Sequence, residues 1–129
     1  MSLSAKQLRR HNRHLTIDSI GKEGQTIFGD ASILIAGLGG LGCPAASYLC
    51  GAGIGSLTLC DSDTVDISNL PRQMLFTEED FGQSKVLVGK RVLNQINTDT
   101  KITIFNKDLD QKLLENFYTV ILKTHNTRG

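Results

Sequence analysis

Residues 33–45 read ILIAGLGGLGCPA: an apolar run breaks into four glycines and resumes as a helix. The stretch SILIA, residues 32–36, is almost continuously apolar, the pattern of a strand buried on both faces, as in a parallel sheet. Gly37, Gly39 and Gly42 match G-x-G-x-x-G directly after that strand. Glycines there permit positive φ and close approach of backbone to a ligand. The helix that follows, residues 41–50, offers unpaired N–H groups and the positive end of its dipole to a phosphate. Pro44 is tolerated because it lies in the first turn. Asp61 follows 24 residues after Gly37, where a ribose-binding carboxylate belongs in a dinucleotide fold. A bound dinucleotide and a nucleotide consumed in a reaction both fit this much. A tight turn with close helix packing and no ligand would use the same glycines.

Working outward, helices and strands alternate. Residues 4–15 read as a basic, polar helix, and a second short helix surrounds residues 23–28. After the glycine loop and its helix, SLTLC (56–60) is a second strand. Residues 84–97 carry Val88, Val92, Leu93 and Ile96 at helical spacing, with Val88, Val92 and Ile96 read as a core stripe. KITIF (101–105) alternates as a third strand, 109–117 is a helix, and TVIL (119–122) a fourth strand. This order predicts the α/β class, with a Rossmann-like parallel sheet and right-handed crossovers. An N-terminal helical segment, residues 1–31, precedes an incomplete domain over 32–129, truncated after about the fourth strand.

The chain has 129 residues, one domain at most. Fourteen basic residues against 13 acidic ones leave a net charge of +1, so no basic field steers nucleic acid or an anionic membrane. No apolar run is long enough to span a bilayer, and residues 1–14 lack a signal peptide's apolar segment. The cytoplasm is the expected compartment. Cys43, Cys50 and Cys60 show no C-x-x-C spacing and read as buried apolar residues. His11 and His14, without an acid or cysteine beside them, read as part of a basic surface face. Asp108 and Asp110 read as caps of the helix that follows them.

The polar loop after Asp61 separates the nucleotide readings. DSDTVDISNLPRQ, residues 61–73, is followed by Lys85 in the first turn of a helix, where a lysine opposes the dipole. Arg72 can chelate phosphate oxygens in a fork, Lys85 can act as a point charge, and Asn69 can donate to a bridging oxygen. A triphosphate needs several such groups, whereas a pyrophosphate bridge is largely served by backbone N–H groups.

These segments, with RHNRHLTIDSIGKEGQ (10–25) and FTEEDFGQSK (76–85), resemble the ThiF/MoeB/HesA adenylyltransferases, bacterial relatives of the ubiquitin-activating enzymes. The resemblance runs to about residue 122. It implies a homodimeric Rossmann-like domain that binds Mg-ATP. Such a domain adenylates the C-terminal glycine of a small ubiquitin-like sulfur-carrier protein of molybdopterin or thiamin synthesis. By motif, Gly37, Gly39, Gly40 and Gly42 would lie against the nucleotide and Asp61 would hold the ribose hydroxyls. Ser68, Asn69, Arg72 and Lys85 would surround the phosphates. Arg13 matches the arginine that reaches into the partner subunit's site, so Arg13, Arg72 and Lys85 are the expected catalytic residues. Gln25 is expected to buttress the N-terminal segment.

Two departures from the family pattern shape the expected activity. Where the family has D-C-T-D-N, with an acid that coordinates Mg²⁺, this chain has KTHN, residues 123–126. No metal ligand is therefore predicted, and asparagine is a much weaker Mg²⁺ ligand than a carboxylate. The family's paired C-x-x-C zinc ligands and later strands are also missing from the sequence. A truncated copy with impaired activity is the expectation. A non-catalytic nucleotide-binding or dimerisation module is the alternative, and an NAD(P)-dependent oxidoreductase ranks behind both.

Overall fold

The computed structural model describes residues 4–10, 21–66, 75–114 and 120–123. Helix α1 (Ala5–Arg10) and helix α2 (Gly21–Asp30) lead into strand β1 (Ser32–Ala36), helix α3 (Gly42–Ala52) and strand β2 (Ser56–Cys60). A 3₁₀ turn (Glu78–Asp80) precedes helix α4 (Lys85–Ile96), strand β3 (Lys101–Phe105), helix α5 (Gln111–Leu114) and strand β4 (Val120–Lys123). The four strands form one parallel sheet in the order β3-β2-β1-β4. This is the Rossmann-like arrangement that the alternation predicts. Ser32 pairs with Ser56, and Ile33 with Val120, so the C-terminal ends of all strands meet along one edge.

The two faces of the sheet are filled unequally. Ile33, Ile35, Leu57, Leu59 and Ile102 point into the larger cluster with Cys43, Ala46, Cys50, Val86, Val88 and Leu93 of α3 and α4. On the opposite face Leu34 and Cys60 pack with Leu113 of α5. The period-2 alternation of the strands separates these sets. All three cysteines are buried, as a packing role requires.

The core stripe of α4 differs from the expected one. Val88 is buried, but Val92 is half-buried and Ile96 is 36% exposed. The buried face instead carries Lys85, Val86, Val88, Gly89 and Leu93. Gly89 explains the rotation, because a Cβ there would stand 3.2 Å from Leu38 Cδ1 and 3.3 Å from Leu59 Cδ1. The helix approaches the sheet along its thinnest residue, and the larger apolar side chains flank that line.

The entry segment is anchored through its backbone. Gly55 N–H donates to the Phe28 carbonyl and Ser56 N–H to the Ala31 carbonyl. A Cβ on Gly55 would fall onto the Gly29 carbonyl oxygen. Gln25, 1% exposed, donates through Nε2 to the Ala52 carbonyl at 2.7 Å, and Asn97 Nδ2 donates to the Cys50 carbonyl at 3.0 Å. The Gln25 amide satisfies a carbonyl at the end of α3 and acts as the expected buttress, while Asn97 adds a second donor to the Cys50 carbonyl, which also accepts the Gly53 N–H. Asp110 Oδ1 accepts from Leu113 N–H and caps α5. Asp108 does not share that role: it accepts a 2.6 Å hydrogen bond from the Ser62 hydroxyl. His11 and His14 lie outside the described residues, as do the ends of the helices expected over 4–15 and 109–117.

Candidate functional site

At the C-terminal edge of the sheet the chain leaves β1 at Gly37, whose φ of 102° is the left-handed region that a glycine accommodates. Its N–H donates to the Cys60 carbonyl at 2.8 Å, which carries the β1–β2 pairing one residue into the loop. Gly37 is the member of the glycine set that takes positive φ; Gly39 and Gly42 are buried and Gly40 is exposed. Among the described residues the N–H groups of Gly40, Leu41 and Gly42 make no backbone hydrogen bond, and Leu41 is 68% exposed. The start of α3 thus presents open donors beside solvent, and its first turn carries no acid to occupy them.

Asp61 ties this loop to the rest of the site. Its side chain is buried, Oδ2 accepting the Leu38 N–H at 2.7 Å and Oδ1 the Asp63 N–H at 2.8 Å. The carboxylate therefore buttresses the glycine loop, a role that its position in the sequence does not disclose. From Asp63 the network continues into α4. The Asp63 carbonyl accepts the Lys85 N–H at 3.1 Å, Val65 N–H donates to Gln83 and Gly82 N–H to Val65. Thr64 and Ser84 form an antiparallel bridge within this short ladder.

The ladder delivers Lys85 to the first turn of α4 with its side chain 1% exposed and Nζ 3.9 Å from Asp63 Oδ2. A buried ammonium is costly unless paired, and a lysine at a helix N-terminus also opposes the dipole. Neighbouring Ser84 Oγ is shielded from solvent and makes no hydrogen bond among the described residues. Cys43, in the first turn of α3, lies within the fields of both Lys85 and Asp61. Burial pushes its thiol up to about 11, against the pull of a Leu75 backbone hydrogen bond and of Lys85. Cys43 is therefore a protonated packing residue at neutral pH, and its Sγ donates to the Leu38 carbonyl at 3.4 Å. Burial, followed by the charge of Asp61, raises the Cys60 thiol as well.

Gly37, Gly39, Gly40, Gly42, Asp61 and Lys85 thus meet at one edge of the sheet. Arg13, Ser68, Asn69 and Arg72 lie outside the described residues, as do His125 and Asn126. Asp63 carries more of the geometry than its place in a polar loop suggests; the D-x-D spacing with Asp61 was the available signal. Among the described residues no three His, Cys, Asp or Glu side chains gather to hold a metal ion. None of the described helices is long and apolar enough to cross a membrane.

The sequence pattern of the ThiF family matches residues 11–125. The chain belongs to the ThiF family. Among curated relatives of this ThiF-family chain, the sulfur carrier protein ThiS adenylyltransferase of Escherichia coli is 42% identical over 113 residues, 88% of this chain and 45% of that protein. The molybdopterin-synthase adenylyltransferase of Salmonella typhimurium is 46% identical over 108 residues, 84% of this chain and 43% of that protein. The chain therefore spans less than half the length of these relatives. Among solved structures, the E. coli tRNA N6-threonylcarbamoyladenosine dehydratase TcdA in complex with ATP superimposes with a TM-score of 0.90 at 25% identity. The match covers 98% of this chain and 53% of that one.

Proposed function

We propose that this ThiF-family chain carries the nucleotide half of an ATP-dependent adenylyltransferase. Its co-substrate would be the C-terminal glycine carboxylate of a ubiquitin-like sulfur carrier of the ThiS or molybdopterin-synthase type. The observation that supports this best is the buried Lys85, brought beside the glycine loop through Asp61 and Asp63. A cation buried at a helix N-terminus is a poor structural element and a good partner for a polyphosphate. The names of the curated relatives supply the reaction class.

In that reaction a carrier carboxylate oxygen attacks the α-phosphorus of ATP. A new P–O bond forms, the bond to the bridging oxygen breaks, and pyrophosphate leaves with the electron pair. Two anions meet in this step, so positioning and charge compensation carry the catalysis. The open N–H groups of Gly40, Leu41 and Gly42 would receive a phosphate. Lys85, with Ser68, Asn69 and Arg72, would take up charge developing on the departing pyrophosphate. Asp61 would meet the ribose hydroxyls with the lone pairs left by its two backbone bonds. A Mg²⁺ travelling with ATP would draw most of its ligands from phosphate oxygens and water. Arg13 would complete the site of the partner subunit in a homodimer.

A module that binds nucleotide without transferring it is the second reading, favoured by Lys123 standing where the family pattern has an acid. Incubation with α-labelled ATP and a purified ThiS- or MoaD-type carrier separates the two. Label on the carrier, lost in Arg72→Ala, supports transfer; ATP binding without carrier labelling supports the module; preference for NAD over ATP contradicts the adenylyltransferase reading.

A further inference from the structure

We infer that Asp63 is the resting partner of Lys85 and that an incoming polyphosphate takes Lys85 away from it. The inference rests on the nucleotide reading above and adds to it a residue that no motif assigns to the phosphates. The two members of the pair differ sharply in their need for each other. Lys85 is 1% exposed, whereas the Asp63 side chain is 55% exposed. A buried ammonium requires a compensating charge, while a carboxylate half in water is already solvated.

The geometry is that of a loose hold. Nζ to Oδ2 is 3.9 Å, an ion pair longer than a hydrogen bond. The backbone around the pair is fixed independently: Asp63 N–H is held by Asp61, and the Asp63 carbonyl holds the Lys85 N–H. The side chain of Asp63 can swing outward without disturbing either bond, because neither involves its carboxylate. Phosphate oxygens at the neighbouring glycine loop offer Lys85 more charge and more acceptors than one carboxylate does. Once Lys85 has turned to them, Asp63 remains close to the phosphates as a second anion. It therefore weakens the binding of a polyphosphate while leaving the nucleoside untouched. Asp63 is a positioning residue, acting through Lys85.

The test compares ATP with adenosine by calorimetric titration at low ionic strength, in the wild-type chain and in Asp63→Asn. The amide keeps the backbone ladder and removes the charge. ATP should bind about two- to fivefold more tightly to Asp63→Asn, the size of one half-exposed charge interaction, with adenosine affinity unchanged. Unchanged or weakened ATP binding in Asp63→Asn overturns the inference, as does a parallel change for adenosine, which marks a structural role. A urea-unfolding cycle of Asp63→Asn, Lys85→Met and the double variant tests the pair without any nucleotide. Coupled effects support it and additive ones overturn it. If no variant binds ATP while the coupling persists, the nucleotide reading fails and the displacement fails with it, leaving a structural ion pair.

Discussion

Replacing Asp61 by asparagine should loosen the glycine loop before it affects any ligand. The carboxylate is 6% exposed and accepts two short backbone hydrogen bonds, from Leu38 at 2.7 Å and Asp63 at 2.8 Å. Asparagine is nearly isosteric but has one acceptor oxygen, so its amide N–H₂ must face one of the two N–H donors. One charge-assisted bond is lost, the other becomes neutral, and a buried donor is left without a partner. A lost bond to a charged group is worth about 1.5–3 kcal/mol and the stranded donor about 1–3 kcal/mol. These overlap, so a net loss of about 2–4 kcal/mol is expected, a substantial part of the ~5–15 kcal/mol of a typical domain. Equilibrium urea unfolding at pH 7 should show the midpoint falling by roughly 1 M or more at an unchanged slope. A loss below about 0.5 kcal/mol, the scale of an ordinary surface substitution, would refute the buttressing role.

Other consequences are equally concrete. Gly55→Ala should prevent stable folding, with a cost above about 4 kcal/mol, because its Cβ meets the Gly29 carbonyl oxygen; circular dichroism and urea titration would show it. Burial pushes the Asp80 carboxyl up, but hydrogen bonds from Arg91 at 2.6 Å and from Thr77 outweigh it and hold it below the usual carboxylate range. A depressed carboxylate contributes stability above its unfolded value that disappears as pH falls through its folded one. Urea midpoints followed from neutral pH down through the ordinary carboxylate range should therefore drop less at acid pH in Arg91→Leu, which loses the pair at neutral pH. Cys43, buried and with its thiol near 11, should resist iodoacetamide at pH 8 in the native chain and react on unfolding. Lys85→Met should keep the fold and reduce adenylation by about 10²–10³-fold, as loss of one oriented donor to a developing charge does.

The fold was legible because its signals are local. Strands at 32–36, 56–60 and 101–105 match the sequence reading residue for residue: the first two are buried apolar runs that announce themselves by composition, and the third, less buried, by its alternation. The face of α4 was not legible. Three branched residues at i, i+4 and i+8 suggested a core stripe, but helix rotation is decided by how closely Gly89 lets α4 approach Leu38 and Leu59. That is a tertiary fact, invisible to periodicity.

The site divides in the same way. Motif and placement single out Gly37 and Lys85 as candidates, and the structure brings their elements to one edge. The roles of Asp61 and Asp63 as backbone braces were not readable, because an acid that accepts N–H groups and one that accepts ribose hydroxyls occupy the same position in the sequence. Asp108 shows the reverse error: an acid before a helix suggests a cap, yet Ser62, distant in sequence, claims it.

The most direct measurement is exchange of labelled pyrophosphate into ATP in the presence of a ThiS- or MoaD-type carrier. Carrier-dependent exchange is expected from the wild-type chain, with its loss in Lys85→Met. Absence of exchange from a folded, dimeric wild-type chain that retains its carrier would contradict adenylyl transfer.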